Sequence, residues 1–479
     1  MEGKQMDKNF LWGCSSTAYQ SEGASAEDGK GASVWDTFAS VPGRTFGNTD
    51  GRVGVDFYHR WEEDLDLMAK MGLKLFHFSV SWPRVLPEGR GRVNEAGLAF
   101  YDKVVDGCRA RGIEPMITLY HWDLPQALED AYGGWESPQC IDDFVAYARL
   151  MYEHFKGRVN YWITINEANI FTRFGWLTAM HPPAKFDQKK LFFQVNHNLF
   201  LAHAKALLLG KKLLPDAKIG ASFAYGPGYA FDCDPRNAEA RQNFDELENY
   251  WWLDVYCMGD YPLVGEHYVR GQGEMPDVSD ADRALFRQAA DAMDFIGVNY
   301  YHSNVCEFNP PDGAMPFGYP NITGAKGTET VTGMPGLYKN PPNPYLHRTN
   351  WDWTIDATGL KYACRELTSR YRKPIFITEN GLGHLDHREE DGKIHDGYRV
   401  KFLRQHIAAV EDAARMGCDI LGYCVWAFTD LLSWLNGYRK RYGLVYVDQN
   451  ESMNGTNRRT PKDSYYWYAS VIASDGRVL

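Results

Sequence analysis

The amino-acid sequence predicts an α/β fold closed into a (β/α)8 barrel, the TIM barrel, with elaborated loops at the C-terminal ends of its strands. Eight short apolar segments recur along the 479 residues, most of them rich in β-branched and aromatic residues, as buried parallel strands are. Helical patterns lie between them, an alternation that closes a barrel. No Gly-rich phosphate fingerprint supports the rival, a doubly wound open sheet.

The strand segments, in order, are Phe10–Ser16, Leu73–Trp82, Ile113–Trp122, Val159–Glu167, Lys218–Tyr225, Met293–Tyr301, Pro374–Gly381 and Ile420–Phe428. Helical patterns include Trp61–Met71, Glu95–Arg111, Pro138–Phe155 and Val400–Met416. Two stretches, Ala26–Gly54 and Pro310–Pro344, are Gly/Pro-rich without strong periodicity and read as long loops at the barrel mouth. No low-complexity linker or repeat divides residues 1–479, so a single domain is expected.

Composition narrows the function. A net charge of −11 disfavours a general nucleic-acid or anionic-membrane binder. Aromatic residues make up 14% of the chain, which fits either a large aromatic core or a cleft lined by flat faces, suited to sugars. The nine cysteines are scattered, without CxxC pairing, and residues 1–9 hold no apolar signal core. A reduced, cytoplasmic protein is expected, with no run of transmembrane length. Asn321-Ile322-Thr323 and Asn454-Gly455-Thr456 match the glycosylation triplet but carry no meaning without a secretory signal.

Barrel chemistry sits at the C-terminal ends of strands. There the sequence places Glu167 at the end of the fourth strand and Glu379 at the end of the seventh, next to the turn signal Asn380-Gly381. Packing does not explain two carboxylates at the ends of buried strands. His121 and Trp122 end the third strand, Asn299 and Tyr301 the sixth, and Trp426 the eighth. A carboxyl pair can protonate a glycosidic leaving oxygen and trap the oxocarbenium-like carbon. An ionised Glu379 would raise the pKa of Glu167 and keep it an acid. Once a sugar esterifies Glu379, that charge is gone and Glu167 can act as base.

At these residues the chain resembles glycoside hydrolase family 1. Thr164-Ile165-Asn166-Glu167 and Ile377-Thr378-Glu379-Asn380-Gly381 carry the resemblance. So do Phe10-Leu11-Trp12-Gly13, Thr17–Ala24, Asp28–Gly31, Ser33–Asp36 and Thr118–Pro125, and the likeness runs essentially end to end. It implies one (β/α)8 barrel of retaining β-glycosidases without metal or organic cofactor. Glu167 would be the acid/base and Glu379 the nucleophile, with Tyr301 hydrogen-bonded to the nucleophile and Asn299 nearby. It further implies sugar contacts from Gln20, His121, Trp122, Asn166, Trp426 and Trp434, and an aromatic wall from Trp353 on the leaving-group side. His384, Asp386, His387 and His395 lack metal-ligand spacing and read as a solvated polar loop.

Asp430–Gly443 bears on specificity. Ordinary β-glucosidases of the family carry Glu where Ser433 stands. Ser433 removes a negative charge, and Lys440 and Tyr442, seven and nine residues on, add a cation and a phenol. A phosphate dianion favours that exchange. The spacing resembles the 6-phospho-β-glycosidase branch, and it implies hydrolysis of 6-phospho-β-D-glucosides, 6-phospho-β-D-galactosides or both. Trp434 beside Ser433 is the residue of the 6-phospho-β-galactosidases and also of unphosphorylated glucosidases, so the epimer stays open. The competing functions are an unphosphorylated β-glucosidase or β-galactosidase and a non-catalytic sugar-phosphate-binding barrel. The expected partner is a phosphorylated disaccharide or aryl glycoside, with no nucleic acid or membrane; a homo-oligomer is compatible. One departure stands out: His77 occupies the place of the family's Arg. A protonated His77 is expected to help keep Glu379 ionised.

Overall fold

The computed structural model describes residues 9–315, 318 and 320–479. Eight parallel strands close a barrel in sequence order: β1 (Leu11–Ser15), β2 (Leu75–Ser79), β3 (Glu114–Tyr120), β4 (Tyr161–Asn166), β5 (Lys218–Ala224), β6 (Phe295–Tyr300), β7 (Ile375–Asn380) and β8 (Ile420–Trp426). Each predicted strand segment contains one of them. A long helix follows each strand: α1 (Phe57–Met71), α2 (Glu95–Ala110), α3 (Gln139–His154), α4 (Lys189–Leu213), α5 (Asp280–Ala292), α6 (Ala357–Tyr371), α7 (Gly397–Arg415) and α8 (Asp463–Ala473). The four helical patterns read from the sequence fall on α1, α2, α3 and α7.

Strand periodicity layers the barrel interior. Leu75, Met116, Ile163, Phe295, Phe376 and Cys424 form a dry plug of buried side chains. Two residues further along their strands, on the same face, come His77, Thr118 and Thr378. With Ser15, Ser222 and Asn299 they make a buried polar layer directly beneath the mouth. Apolar residues therefore close the bottom of the barrel, and hydroxyl and amide groups support whatever stands above them.

Register slips re-aim the strand ends. The pairing of β4 with β5 shifts between Ile163 and Asn166, and that of β7 with β6 between Ile377 and Glu379. Such irregularities turn side chains near functional sites. They fall on the two strands that carry Glu167 and Glu379.

Three expectations are corrected. The second strand stops at Ser79, because Trp82–Val85 forms a helical turn with Pro83 in its first turn. Ala26–Gly54 is not all loop: Val34–Ala39 is a helix whose N-terminus carries a capping box between Ser33 and Asp36. Within Pro310–Pro344, Gly333–Met334 pairs with Tyr338–Lys339, while residues 316, 317 and 319 lie outside the described residues. All nine cysteines are free and eight are buried. Among the described residues, no helix is long and apolar enough to cross a membrane.

Candidate active site

The two carboxylates stand at the C-terminal mouth of the barrel, nearly out of solvent: Glu167 is 6% exposed and Glu379 3%. Glu167 sits between β4 and the helix Ala168–Trp176 with φ 47° and ψ 55°, in the left-handed region. Trp122, just past β3, has φ 77°. Non-glycine residues in that region are costly and cluster at functional sites, where the surrounding fold holds them.

Asn299 ties the pair to the polar layer. Its Oδ1 accepts from Ser222 Oγ at 3.0 Å and Thr378 Oγ1 at 2.6 Å. That fixes the amide orientation, and Nδ2 donates to Glu167 Oε1 at 2.7 Å and Asn166 Oδ1 at 3.1 Å. Asn299 also lowers the pKa of Glu379, favouring its charged form. Tyr301 donates its hydroxyl to Glu379 Oε2 at 2.5 Å. The other oxygen, Glu379 Oε1, is buried without a protein partner.

Burial raises the pKa of both carboxyls, that of Glu167 to about 7. Two buried carboxylates this close cannot both ionise cheaply, so the pair holds a proton near neutral pH. The hydrogen bond from Tyr301 favours the charged form of Glu379, while burial and the neighbouring Glu167 oppose it.

The other residues singled out in the sequence join the same surface. Asn166 Nδ2 donates to His121 Nε2 at 3.1 Å, and Trp122 Nε1 donates to the Asn166 carbonyl at 3.0 Å. Trp434 packs on Trp122 with ring centroids 4.6 Å apart, and His121 lies flat between Trp426 and Trp434. Gln20 Nε2 donates to the Leu432 carbonyl at 2.5 Å, next to Ser433. Trp353 packs against Tyr301, with ring centroids 5.5 Å apart.

Ser433, Lys440 and Tyr442 are all buried, so Arg439-Lys440-Arg441 is no solvated basic run. Arg441 pairs with Asp430 at 3.0 Å. The Lys440 ammonium instead lies 3.7 Å from the Trp353 ring centroid and 5.5 Å from that of Tyr442. Burial lowers its pKa to about 7. Its stem crosses Gly383, where a Cβ would come within 2.7 Å of Lys440 Cε. Gly381 faces a harder constraint, since a Cβ there would lie 1.9 Å from the Trp426 carbonyl oxygen. The Asn-Gly signal after Glu379 therefore marks a close approach of two strand ends.

A lattice of buried charges braces the segment from beneath. Asp430 accepts from Arg441, from Lys462 at 2.7 Å and from the Gly443 amide at 2.9 Å. Lys462 also pairs with Asp386, and Arg399 spans Asp386 and Asp396 while donating to the Tyr442 carbonyl at 3.2 Å. The reading of residues 384–395 as a solvated loop is thus corrected at Asp386, which is buried in this lattice. Among the described residues, no group of three His, Cys, Asp or Glu side chains gathers as metal ligands.

His77 overturns its expected role. It touches Thr118 Oγ1 at 2.7 Å, the Thr378 carbonyl at 3.3 Å and Ser15 Oγ at 3.4 Å, not Glu379. Burial lowers its pKa to about 4, so at neutral pH it is uncharged. Facing a carbonyl, Nδ1 carries the hydrogen and Nε2 accepts from Thr118. It cannot supply a positive charge to Glu379.

The sequence reading missed Tyr19, Trp35 and His181, which complete the aromatic wall around Trp434, with centroids 5.6, 4.5 and 6.5 Å from it. It also missed Ser222 and Trp351. Period-2 alternation up from the apolar plug was the available signal for Ser222; the aromatic residues read the same as core.

A sequence profile described as glycosyl hydrolase family 1 matches residues 2–477. An aryl-phospho-beta-D-glucosidase of Bacillus subtilis is 51% identical over 98% of both chains. A 6-phospho-beta-galactosidase of Clostridium acetobutylicum is 35% identical, covering 97% of this chain and 96% of its own. Among solved structures, a family 1 β-glucosidase from Thermotoga maritima superposes with a TM-score of 0.89 at 34% identity, covering 99% of this chain and 100% of its own. The chain belongs to glycosyl hydrolase family 1.

Proposed function

We propose that the protein hydrolyses 6-phospho-β-D-glucosides and 6-phospho-β-D-galactosides with retention of anomeric configuration, residues 1–479 acting as one catalytic barrel. The observation that carries this reading is a buried Lys440, without an ion-pair partner among the described residues, over the ring of Tyr442, which packs against the Tyr301 that holds Glu379. Relatives named for phosphorylated β-glucosides and β-galactosides support it.

Glu379 is the nucleophile. Its Oε1, without a partner among the described residues, attacks the anomeric carbon while Tyr301 holds the other oxygen. Glu167, kept protonated by burial, passes its proton to the leaving oxygen. The glycosyl ester removes the charge on Glu379. Glu167, left as a carboxylate and now with a lower pKa, takes a proton from the incoming water as the water oxygen bonds the anomeric carbon and the ester to Glu379 breaks.

Gln20, His121, Trp122, Asn166, Trp426 and Trp434 hold the sugar. Ser433, Lys440 and Tyr442 bind its phosphate, and Trp353 faces the leaving group. A phosphorylated sugar is made inside the cell, which places the enzyme in the cytoplasm.

The test is hydrolysis of 4-nitrophenyl β-glucoside 6-phosphate and β-galactoside 6-phosphate beside their unphosphorylated parents. Turnover confined to the phosphorylated pair is expected. Turnover of the parents at equal or higher kcat/KM would overturn the phosphate reading and leave a plain β-glycosidase.

A further inference from the structure

Lys440 is 2% exposed, yet among the described residues its ammonium has no ion-pair partner. Glu329, on the long loop before α6, acts on it only through space. What surrounds the ammonium is aromatic: Trp353 at 3.7 Å, Trp351 at 5.1 Å and Tyr442 at 5.5 Å from the ring centroids. Trp353 and Tyr442 already have places in the cleft. Trp351 has none, being 1% exposed with its indole Nε1 unpartnered.

The fold invests heavily in holding Trp351 there. Asp352, between the two indoles, adopts φ 64°. Its carboxylate accepts from the amides of Gly327 at 2.7 Å, Thr328 at 3.2 Å and Glu329 at 3.2 Å, and from Asn321 Nδ2 at 2.9 Å. Asn436, from the Ser433 segment, donates to the carbonyls of Asn321 at 3.3 Å and Ile322 at 3.1 Å. Gly324 lies so close to the Trp351 ring that a Cβ would approach to 3.0 Å. The long loop, the two indoles and the Ser433 segment are thus clasped into one unit around Lys440.

A carboxylate beside Lys440 would anchor it but would also cancel its charge and repel a dianion. A ring face attracts a cation through its quadrupole and leaves the charge uncancelled. Lysine has a flexible stem, so some anchor is needed before substrate arrives.

We infer that Trp351 is a positioning residue for phosphate recognition: with Trp353 it holds the Lys440 ammonium in place without neutralising it, reserving the charge for the substrate's phosphate. This rests on the phosphate reading above, which the wild-type substrate preference tests on its own.

The experiment compares wild type, Trp351→Leu, Trp351→Phe, Lys440→Met and the Trp351→Leu/Lys440→Met double variant on 4-nitrophenyl β-glucoside 6-phosphate. Inorganic phosphate serves as a competing probe of the pocket. For Trp351→Leu, KM and the phosphate inhibition constant are expected to rise together by about tenfold, with kcat within about twofold. Trp351→Phe keeps a ring and should lose less. Adding Trp351→Leu to Lys440→Met should change KM little further. Unchanged KM, a fall in kcat with KM constant, or equal losses with and without Lys440 would each overturn the inference. If Trp351→Leu fails to fold, Trp351→Phe decides: a KM and inhibition constant equal to wild type would overturn it too.

Discussion

Lys440 makes the clearest residue-scale prediction because its charge changes near the working pH. Burial lowers its pKa to about 7, so the empty site carries the cation below that pH and loses it above. A phosphate monoester becomes a dianion above its second pKa of about 6. KM for the phosphorylated substrate is therefore expected to be lowest between about pH 6 and 7 and to climb on the alkaline side, as a KM–pH profile would register. Lys440→Arg should lose the alkaline rise, since a guanidinium stays charged. At Ser433, Ser433→Glu places a carboxylate beside the dianion. Its kcat/KM on phosphorylated substrate should fall at least about a hundredfold. Glu167→Gln removes the proton donor and should cost about 10²–10⁴-fold on alkyl glycosides, with a smaller effect on nitrophenyl glycosides, whose leaving group departs without a proton. Comparing the two leaving groups separates loss of the acid from general damage. At this scale the sequence was legible where a residue's chemistry was out of place, as with Glu167 and Glu379 on buried strands. It misled at His77, because a histidine looks the same in sequence whether beside a carboxylate or buried among hydroxyls, where it is neutral.

At the scale of elements, the segment Asp430–Gly443 is held from beneath by Arg399, Arg441 and Lys462 against Asp386, Asp396 and Asp430. Burial alone would raise the pKa of Asp386, but Lys462 and Arg399 more than offset that and hold its carboxyl well below the usual range. Removing one partner leaves uncompensated buried charge. Lys462→Met is expected to destabilise by about 3–5 kcal/mol, readable in denaturant unfolding. Gly383 links β7 to the same segment. Gly383→Ala would push on the Lys440 stem, so KM for phosphorylated substrate should rise while kcat on the same substrate stays unchanged. The barrel strands were legible because their apolar runs are short, β-branched and aromatic. The helix at Val34–Ala39 was not, because six residues give too little periodicity to register.

Across the whole molecule, the histidines inside the fold set its acid limit. Burial lowers the pKa of His77 and His406 to about 4 and of His181 and His203 to about 3. The unfolded chain binds these protons near the ordinary value of about 6.5, the folded chain only below 4, so stability is full above about 6.5 and falls as pH drops toward 4. Each group contributes up to about 1.4 kcal/mol per pH unit in that window. This histidine contribution should decline between pH 6.5 and 4, while buried carboxyls with raised pKa, such as Glu129 and Glu329 at about 7, contribute in the opposite sense. NMR titration of the folded protein would follow the histidines directly: imidazoles that protonate near 6.5 would overturn the prediction.

The sequence by itself determined the barrel, the two strand ends bearing Glu167 and Glu379, and the Ser433, Lys440 and Tyr442 spacing. Each of these is a pattern over neighbouring residues, where strand period and residue chemistry act locally. Only the tertiary structure decided which groups partner which. It decided that Asn299 holds Glu167 and Tyr301 holds Glu379, that His77 is neutral, that Asp386 is buried in a charge lattice, and that Lys440 rests on indoles more than eighty residues away in sequence. Burial and pairing set the charge of such groups, and both depend on contacts between segments far apart in the chain.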